Sequence, residues 1–359
     1  MSACLIILSP GMLSTIQDKG RFGYGSYGVP RSGAIDPVSL RLGNALVGND
    51  PYEAALEFRF MGPVVTAENG PIRIGLACEA GAELTDIQNN ETLQISPWQT
   101  VTLNEGNILK VSALAAGATG YLTIEGGLKL EPVLESSSTY VRAKLGGLTG
   151  TSIQANDVLV VKQPAMPGKC ERIMADPVQI GDGVLHVILG PQEDYFSEEE
   201  VEGFLNKPFI VSSDVDRMGI RLEGSKISTL REKGNDIISD GLVVGSIQIP
   251  GSGQPIILCS DCQTVGGYPK IATIISADLN HLGQMRPGSK VHFKRVNLNQ
   301  AQALYLEMEK SIEASINSIQ DYYGDGAVDL EALYGANLIG GVVDAERASN
   351  FPGNLEELV

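Results

Sequence analysis

The chain has 359 residues, a formal net charge of −17 at pH 7, 43% hydrophobic residues and 42 glycines. That length exceeds one ordinary core and predicts about two domains. The acidic balance argues against nucleic acid and anionic membrane surfaces as partners. No run approaches the roughly 18 apolar residues of a membrane span, and residues 1–9 lack a basic leader region. Five scattered cysteines fit a reduced, cytoplasmic setting.

In chain order, residues 3–8 read as a first strand, followed by a Gly-rich polar loop over 11–33. Asp36, Pro37 and Gly48 punctuate a helix as cap, first helical residue and stop, with Val38, Leu42, Ala45 and Leu46 facing a core. Short apolar runs at 72–76, 82–87, 100–103, 108–111, 121–124 and 158–161 alternate with turn signals, predicting a barrel or sandwich. Residues 164–171 read as a linker. A second β block covers 184–189, 209–211, 219–222, 246–249, 256–259, 273–275 and 290–295. Ser197 and Glu200 mark a short acidic helix within it. An amphipathic helix spans 297–319, and an acidic, Gly-rich tail follows. The pattern is mainly β. It predicts an N-terminal β-rich domain over 1–165, a C-terminal β-barrel domain over 172–296, and a helix with acidic tail over 297–359.

The densest chemistry lies at 261–270, directly after the apolar strand 256–259. Asp261, Gln263, Thr264, Tyr268 and Lys270 surround Gly266 and Gly267, which let a ligand approach the backbone. As a site, Lys270 or Arg217 neutralises a substrate anion. Thr264 and the Gly266 and Gly267 amides bind a carbonyl or oxyanion. Asp261 orients an amide N–H or acts as a base. As architecture, the same turn satisfies its own hydrogen bonds. Gln17, Asp18 and Arg21 form a second edge suited to anions and amides, or a solvated loop held by ion pairs. Arg217 either joins an Arg–Asp structural network or points toward the cleft of Tyr268. Cys259 and Cys262 form a C-x-x-C without a second pair, and His186, His281 and His292 are isolated. The expectation is no metal site, no serine elbow and no phosphate loop.

Several motifs occur in order: 11–21 (GMLSTIQDKGR), 28–36 (GVPRSGAID), 44–49, 55–57, 216–224 (DRMGIRLEG), 245–250 (GSIQIP, with Gln248), 261–270 and 284–288. As a set they resemble the allophanate hydrolase subunit 2, or biotin-dependent carboxyltransferase, family, which includes the Kip antagonist and the 5-oxoprolinase C subunit. The likeness runs over about 9–295. It departs at 135–140 and at Asn156-Asp157. The resemblance implies two cyclophilin-like β-barrel domains and a place in a larger enzyme. One version is the C subunit of an ATP-dependent 5-oxoprolinase. It opens 5-oxoproline to glutamate together with a Kip-inhibitor-like B subunit. The ATP site then lies largely on a third partner, the A subunit. The other versions are a biotin-dependent carboxyltransferase acting on urea or a related amide, and a regulatory binding protein. The residues themselves give Asp261, Tyr268 and Lys270 as the candidate catalytic set. Gln17, Asp18, Arg21, Arg217, Gln248, Gln263, Thr264, Gly266 and Gly267 are the candidate substrate-binding set.

Overall fold

The computed structural model describes residues 2–166 and 168–323. The chain is mainly β, in two lobes. The first lobe is a sandwich. One sheet runs Val158–Val160, Cys4–Ser9, Val64–Glu68, Ile108–Val111, Ala82–Asp86 and Glu91–Ile95. The other runs Thr15–Gln17, Ala55–Arg59, Thr119–Ile124, Ile72–Ala77, Gln99–Leu103 and Glu171–Met174. Leu5 and Ile7 of one sheet share a dry core with Leu56, Ile74 and Leu122 of the other. The intervening residues Ala55, Ala77 and Tyr121 point to the opposite face, because side chains alternate along a strand. There they pack against helix α1 (Pro37–Val47). A Cβ at Gly43 would sit 2.6 Å from Ala77 Cβ, so only glycine permits this approach of helix to sheet.

The second lobe is a closed barrel in the order Val184–Leu189, Lys270–Ile274, Ser246–Gln248, Ile256–Leu258, Gly219–Glu223, Phe209–Val215 and Lys290–Arg295. The last strand closes parallel on the first, with Val184 opposite His292. Closure leaves no free strand edge. Helix α2 (Glu198–Asn206), capped by Ser197 Oγ, stacks Phe204 on Phe293 at 4.4 Å. The short helix α3 (His281–Gln284) precedes the final strand. Helix α4 (Leu298–Asn317) starts with a complete Asn297–Gln300 capping box and reaches back to α1 through a two-pronged Arg41–Glu309 pair at 2.8 Å.

Three expectations change. The stretch 11–33 is not one loop: Thr15–Gln17 is a strand paired with Ala55–Arg59, too short to show a period in sequence. Strands Val64–Glu68 and Glu91–Ile95 were also hidden, the latter because it is largely exposed. On α4 only Ala301 and Ile312 of the apolar face are buried, while Tyr305 and Ile316 stay partly exposed. The acidic tail from 324 lies outside the described residues. Among the described residues no helix is long and apolar enough to cross a membrane.

Candidate functional site

The first-lobe edge is a tightly bonded polar cluster. Asp18 is buried and its carboxylate accepts from Gly20 N (2.8 Å), Ser136 Oγ (2.7 Å), Ser138 Oγ (2.5 Å) and Ser137 N (2.6 Å). Arg21 donates through Nε to Val133 O at 3.1 Å and through Nη2 to Ser138 O. Burial lowers the Arg21 pKa, with the Asp18 and Asp261 carboxylates pulling the other way. Gln17 donates to Thr15 Oγ1 and Thr139 O. Two polar atoms here lack partners: the acceptor Gln17 Oε1 and the donor Arg21 Nη1. Ser136–Thr139 were absent from the predicted site. They lie about 120 residues downstream, in the segment where the motif likeness fades. Leu134 and Glu135, at φ 53° and 62°, turn the chain so that this segment wraps Asp18.

The lobes meet at a seam built from the motif residues. Arg217 donates to both Asp261 oxygens (2.9 and 3.1 Å), to Glu57 Oε1 (2.5 Å) and to Gly33 O (2.6 Å). Burial disfavours its charge, but the Asp261 and Glu57 carboxylates outweigh burial and hold its pKa above the usual guanidinium value. Glu57 Oε2 accepts from Ile35 N (3.0 Å) and Tyr121 Oη (2.7 Å). Burial and the Glu57 and Asp36 carboxylates push the Tyr121 phenol well above its ordinary pKa. Gln284 completes the weld: its Oε1 accepts from Ala118 N and Thr119 N, and its Nε2 donates to Asp36 Oδ2 at 2.6 Å. Asp36 caps α1 at the same time, and burial raises its pKa. Glu57 and Gln284 carried no predicted role, although both fall inside quoted motifs.

The 261–270 turn is split between two settings. Asp261 faces the seam and Arg217. Lys270, 3% exposed, donates to Asp240 Oδ2 (2.6 Å) and Gly241 O (3.1 Å). Asp240–Gly241 in turn pairs with Val265–Gly266 as a two-stranded ribbon. Gln248, buried beneath, reaches Tyr268 O at 3.4 Å. Gln263 and Tyr268 are exposed, and Thr264 is half-buried. Gly266 and Gly267 do not take positive φ. A Cβ at 266 would lie 2.8 Å from Gln248 Nε2, so a side chain there would displace the end of Gln248.

Cys259 and Cys262 are buried free thiols, and Cys78 is a third. Burial pushes Cys78 and Cys259 up to about 12 and Cys262 to about 11. They are therefore poor nucleophiles. Thiol titration of the native chain at pH 8 should give one fast group, the exposed Cys170, with the buried thiols reacting only on unfolding. These raised values also mean the folded state holds protons that the unfolded state loses above about pH 8.5, the free thiol value. Stability should thus fall as pH rises from there toward 11–12, as read by urea midpoints. Among the described residues no cluster of His, Cys, Asp or Glu could hold a metal.

Fold and seam together define a two-lobed β protein whose barrel and sandwich are locked by charged motif residues. The description of a carboxyltransferase domain, subdomains A and B, matches residues 27–295. The chain belongs to this carboxyltransferase domain family. It is 34% identical over 301 residues to the 5-oxoprolinase C subunit of Escherichia coli K12, covering 83% of this chain and 93% of that protein. The same-named protein of Haemophilus influenzae is 34% identical over 298 residues, again at 83% and 93%. The solved urea amidolyase of K. lactis superimposes with a TM-score of 0.75 at 29% identity, over 87% of this chain but 20% of that protein. The chain thus spans about a fifth of the urea amidolyase.

Proposed function

We propose that the chain is the C-type subunit of an ATP-dependent 5-oxoprolinase, acting in the cytoplasm with A- and B-type subunits. The observation that carries this reading is the reach of the likeness: 93% of each 5-oxoprolinase C subunit is matched. The reaction adds water across the lactam C–N bond of 5-oxoproline. The carbonyl carbon gains the oxygen, the nitrogen gains the proton, and ATP hydrolysis supplies the drive. ATP itself suits the partner subunits, since this sequence carries no complete phosphate loop.

In this reading Gln17, Asp18 and Arg21 form the substrate edge, because an open buried acceptor and donor complement the N–H and C=O of an amide. Asp261 and Lys270 act by position: one fixes Arg217 and the lobe seam, the other closes the ribbon that presents Gln263, Thr264 and Tyr268. Arg217, Gln248, Gly266 and Gly267 support that surface. The reading is tested by mixing the chain with A- and B-type subunits, 5-oxoproline and ATP. Glutamate should form only when all three proteins are present. Glutamate formed without this chain would defeat the assignment.

The fold likeness to urea amidolyase keeps a second reading: carboxyl transfer to an amide such as urea. A biotin ureido ring carries the same N–H and C=O pair as a lactam, so Gln17 and Arg21 suit it too, and biotin would carry the carboxyl group. Bicarbonate- and biotin-dependent carboxylation, without glutamate release, would select this reading.

A further inference from the structure

Three surface loops stand around the Arg21–Asp261 end of the seam, and each carries exposed apolar side chains. The first covers residues 22–30. Arg21 N donates to Arg31 O at 2.7 Å and closes its base, and Val29 N donates to Tyr24 O within it. This loop holds out Phe22, 53% exposed, and Tyr27, 81% exposed. The second covers residues 133–148, which Arg21 holds at Val133 O and Ser138 O. Reciprocal bonds between Tyr140 and Leu145 pinch its tip, where Val141 is exposed. The third is the barrel ribbon. Ile237 N donates to Gly267 O at 2.8 Å and Leu242 N to Thr264 O at 3.0 Å, so Ile238, Val243 and Val265 share one short hairpin. Ile238 is 95% exposed.

The loops are neighbours. Ser32 N donates to Ser260 O at 2.9 Å, and Arg31 and Ser32 wall one small cavity with Val244 and Ser260. Asp261 is close enough to Arg21 for its carboxylate to pull on the guanidinium pKa. Gln17, Asp18 and Arg21 lie buried under the first two loops. Apolar residues exposed singly need no explanation, but loops of both lobes that present them around one point mark an interaction surface. Backbone bonds already fix each loop, so docking loses little ordering entropy.

The sandwich side of this surface is cationic, against the balance of 43 acidic and 26 basic residues in the chain. Lys19, Arg31, Arg142 and Lys144 are exposed and make no ion pair among the described residues. Arg31 instead lies over the Phe22 ring, 4.3 Å from its centre. Two exposed acids, Glu131 and Glu135, lead into the second loop. A second copy of the chain offers little to these cations. On the ribbon Asp240 is bound to Lys270, which leaves Asp236. Charge complementarity therefore favours a different protein.

We propose that these loops form the docking surface for a second, different subunit, whose contact face is apolar with acidic groups opposite Lys19, Arg142 and Lys144. Seated there, the partner closes over the Gln17–Arg21 edge and the 264–268 turn together. On the 5-oxoprolinase reading, on which the partner's identity rests, it is the B-type subunit.

The full-length chain is titrated calorimetrically with purified B-type subunit at low and at high salt. Saturable binding that weakens with salt is expected. The double change Arg142→Glu with Lys144→Glu should weaken it by about tenfold or more and remove most of the salt dependence. Ile238→Ser and Tyr27→Ser should each weaken it about tenfold, the scale of an interface anchor. Lys110→Glu, an exposed change on the sheet opposite Thr15–Gln17, should leave binding unchanged. Circular dichroism confirms that each variant folds. No binding, parent-like binding by the surface variants, or equal loss in Lys110→Glu overturns the proposal. Docking of the A-type subunit here in place of the B-type, or self-association that the same variants abolish, overturns it as well. If the three proteins make glutamate while the surface variants bind as the parent does, this surface alone is wrong. If the variants lose the B-type subunit and the parent assembly makes no glutamate, the 5-oxoprolinase reading alone is wrong.

Discussion

Arg217→Met should destabilise the chain by about 3–5 kcal/mol, the usual cost of stripping one partner from a buried ion pair. Urea unfolding should show it as a lower midpoint. Arg217 bridges two buried acids, Glu57 on the sandwich and Asp261 on the barrel. Its removal leaves both acids without that partner and Gly33 O without a donor. Methionine fills much of the volume, so the loss reads charge and hydrogen bonding rather than a cavity. Arg217→Lys should recover little, because an ammonium cannot span two carboxylates and a carbonyl with one planar fork. A midpoint within about 1 kcal/mol of the parent, outside the range expected for a stripped buried pair, would show that the seam does not depend on this residue. The conservative double change Glu57→Gln with Arg217→Met should cost less than the sum of its parts, because the two residues share one network.

The same residues explain how far the sequence could be read. Strand positions were legible where short apolar runs stood between turn signals, as at 72–76 and 184–189. They were hidden at Thr15–Gln17, where three residues give no period. The cap of α1 was legible because Asp36, Pro37 and Gly48 act locally. Its second bond, to Gln284, was not, since 248 residues separate the pair. For Arg217 both the network and the cleft were open from sequence, and the structure puts its guanidinium in the network. The charged density at 261–270 suggested one pocket. A turn can send successive side chains to opposite sides, and here Asp261 goes to the seam and Lys270 to the ribbon. Long-range polar welds and site residues draw on the same types, Asp, Arg and Gln. Sequence spacing alone does not separate them.

Asp18→Ala should lower turnover of the three-protein assembly by on the order of 100-fold, the scale of a displaced reacting group. Its two oxygens gather two serine hydroxyls and two backbone amides from both sides of the edge. Losing them frees Ser136–Thr139 from the strand that holds Gln17 and lets Arg21 follow Ser138 O outward. Asp18→Asn separates charge from shape. An amide keeps one acceptor but turns a donor toward Ser137 N in one orientation or Gly20 N in the other, so one backbone amide of the cluster is repelled either way. Asparagine should therefore behave nearly as badly as alanine, although it is almost the same size. Ser136→Ala removes a single donor and should cost only about 1 kcal/mol of stability, with modest loss of turnover. Steady-state glutamate release across the three variants checks the order. If Asp18→Asn matches the parent, the cluster is shape-filling scaffold and the substrate edge must be sought elsewhere.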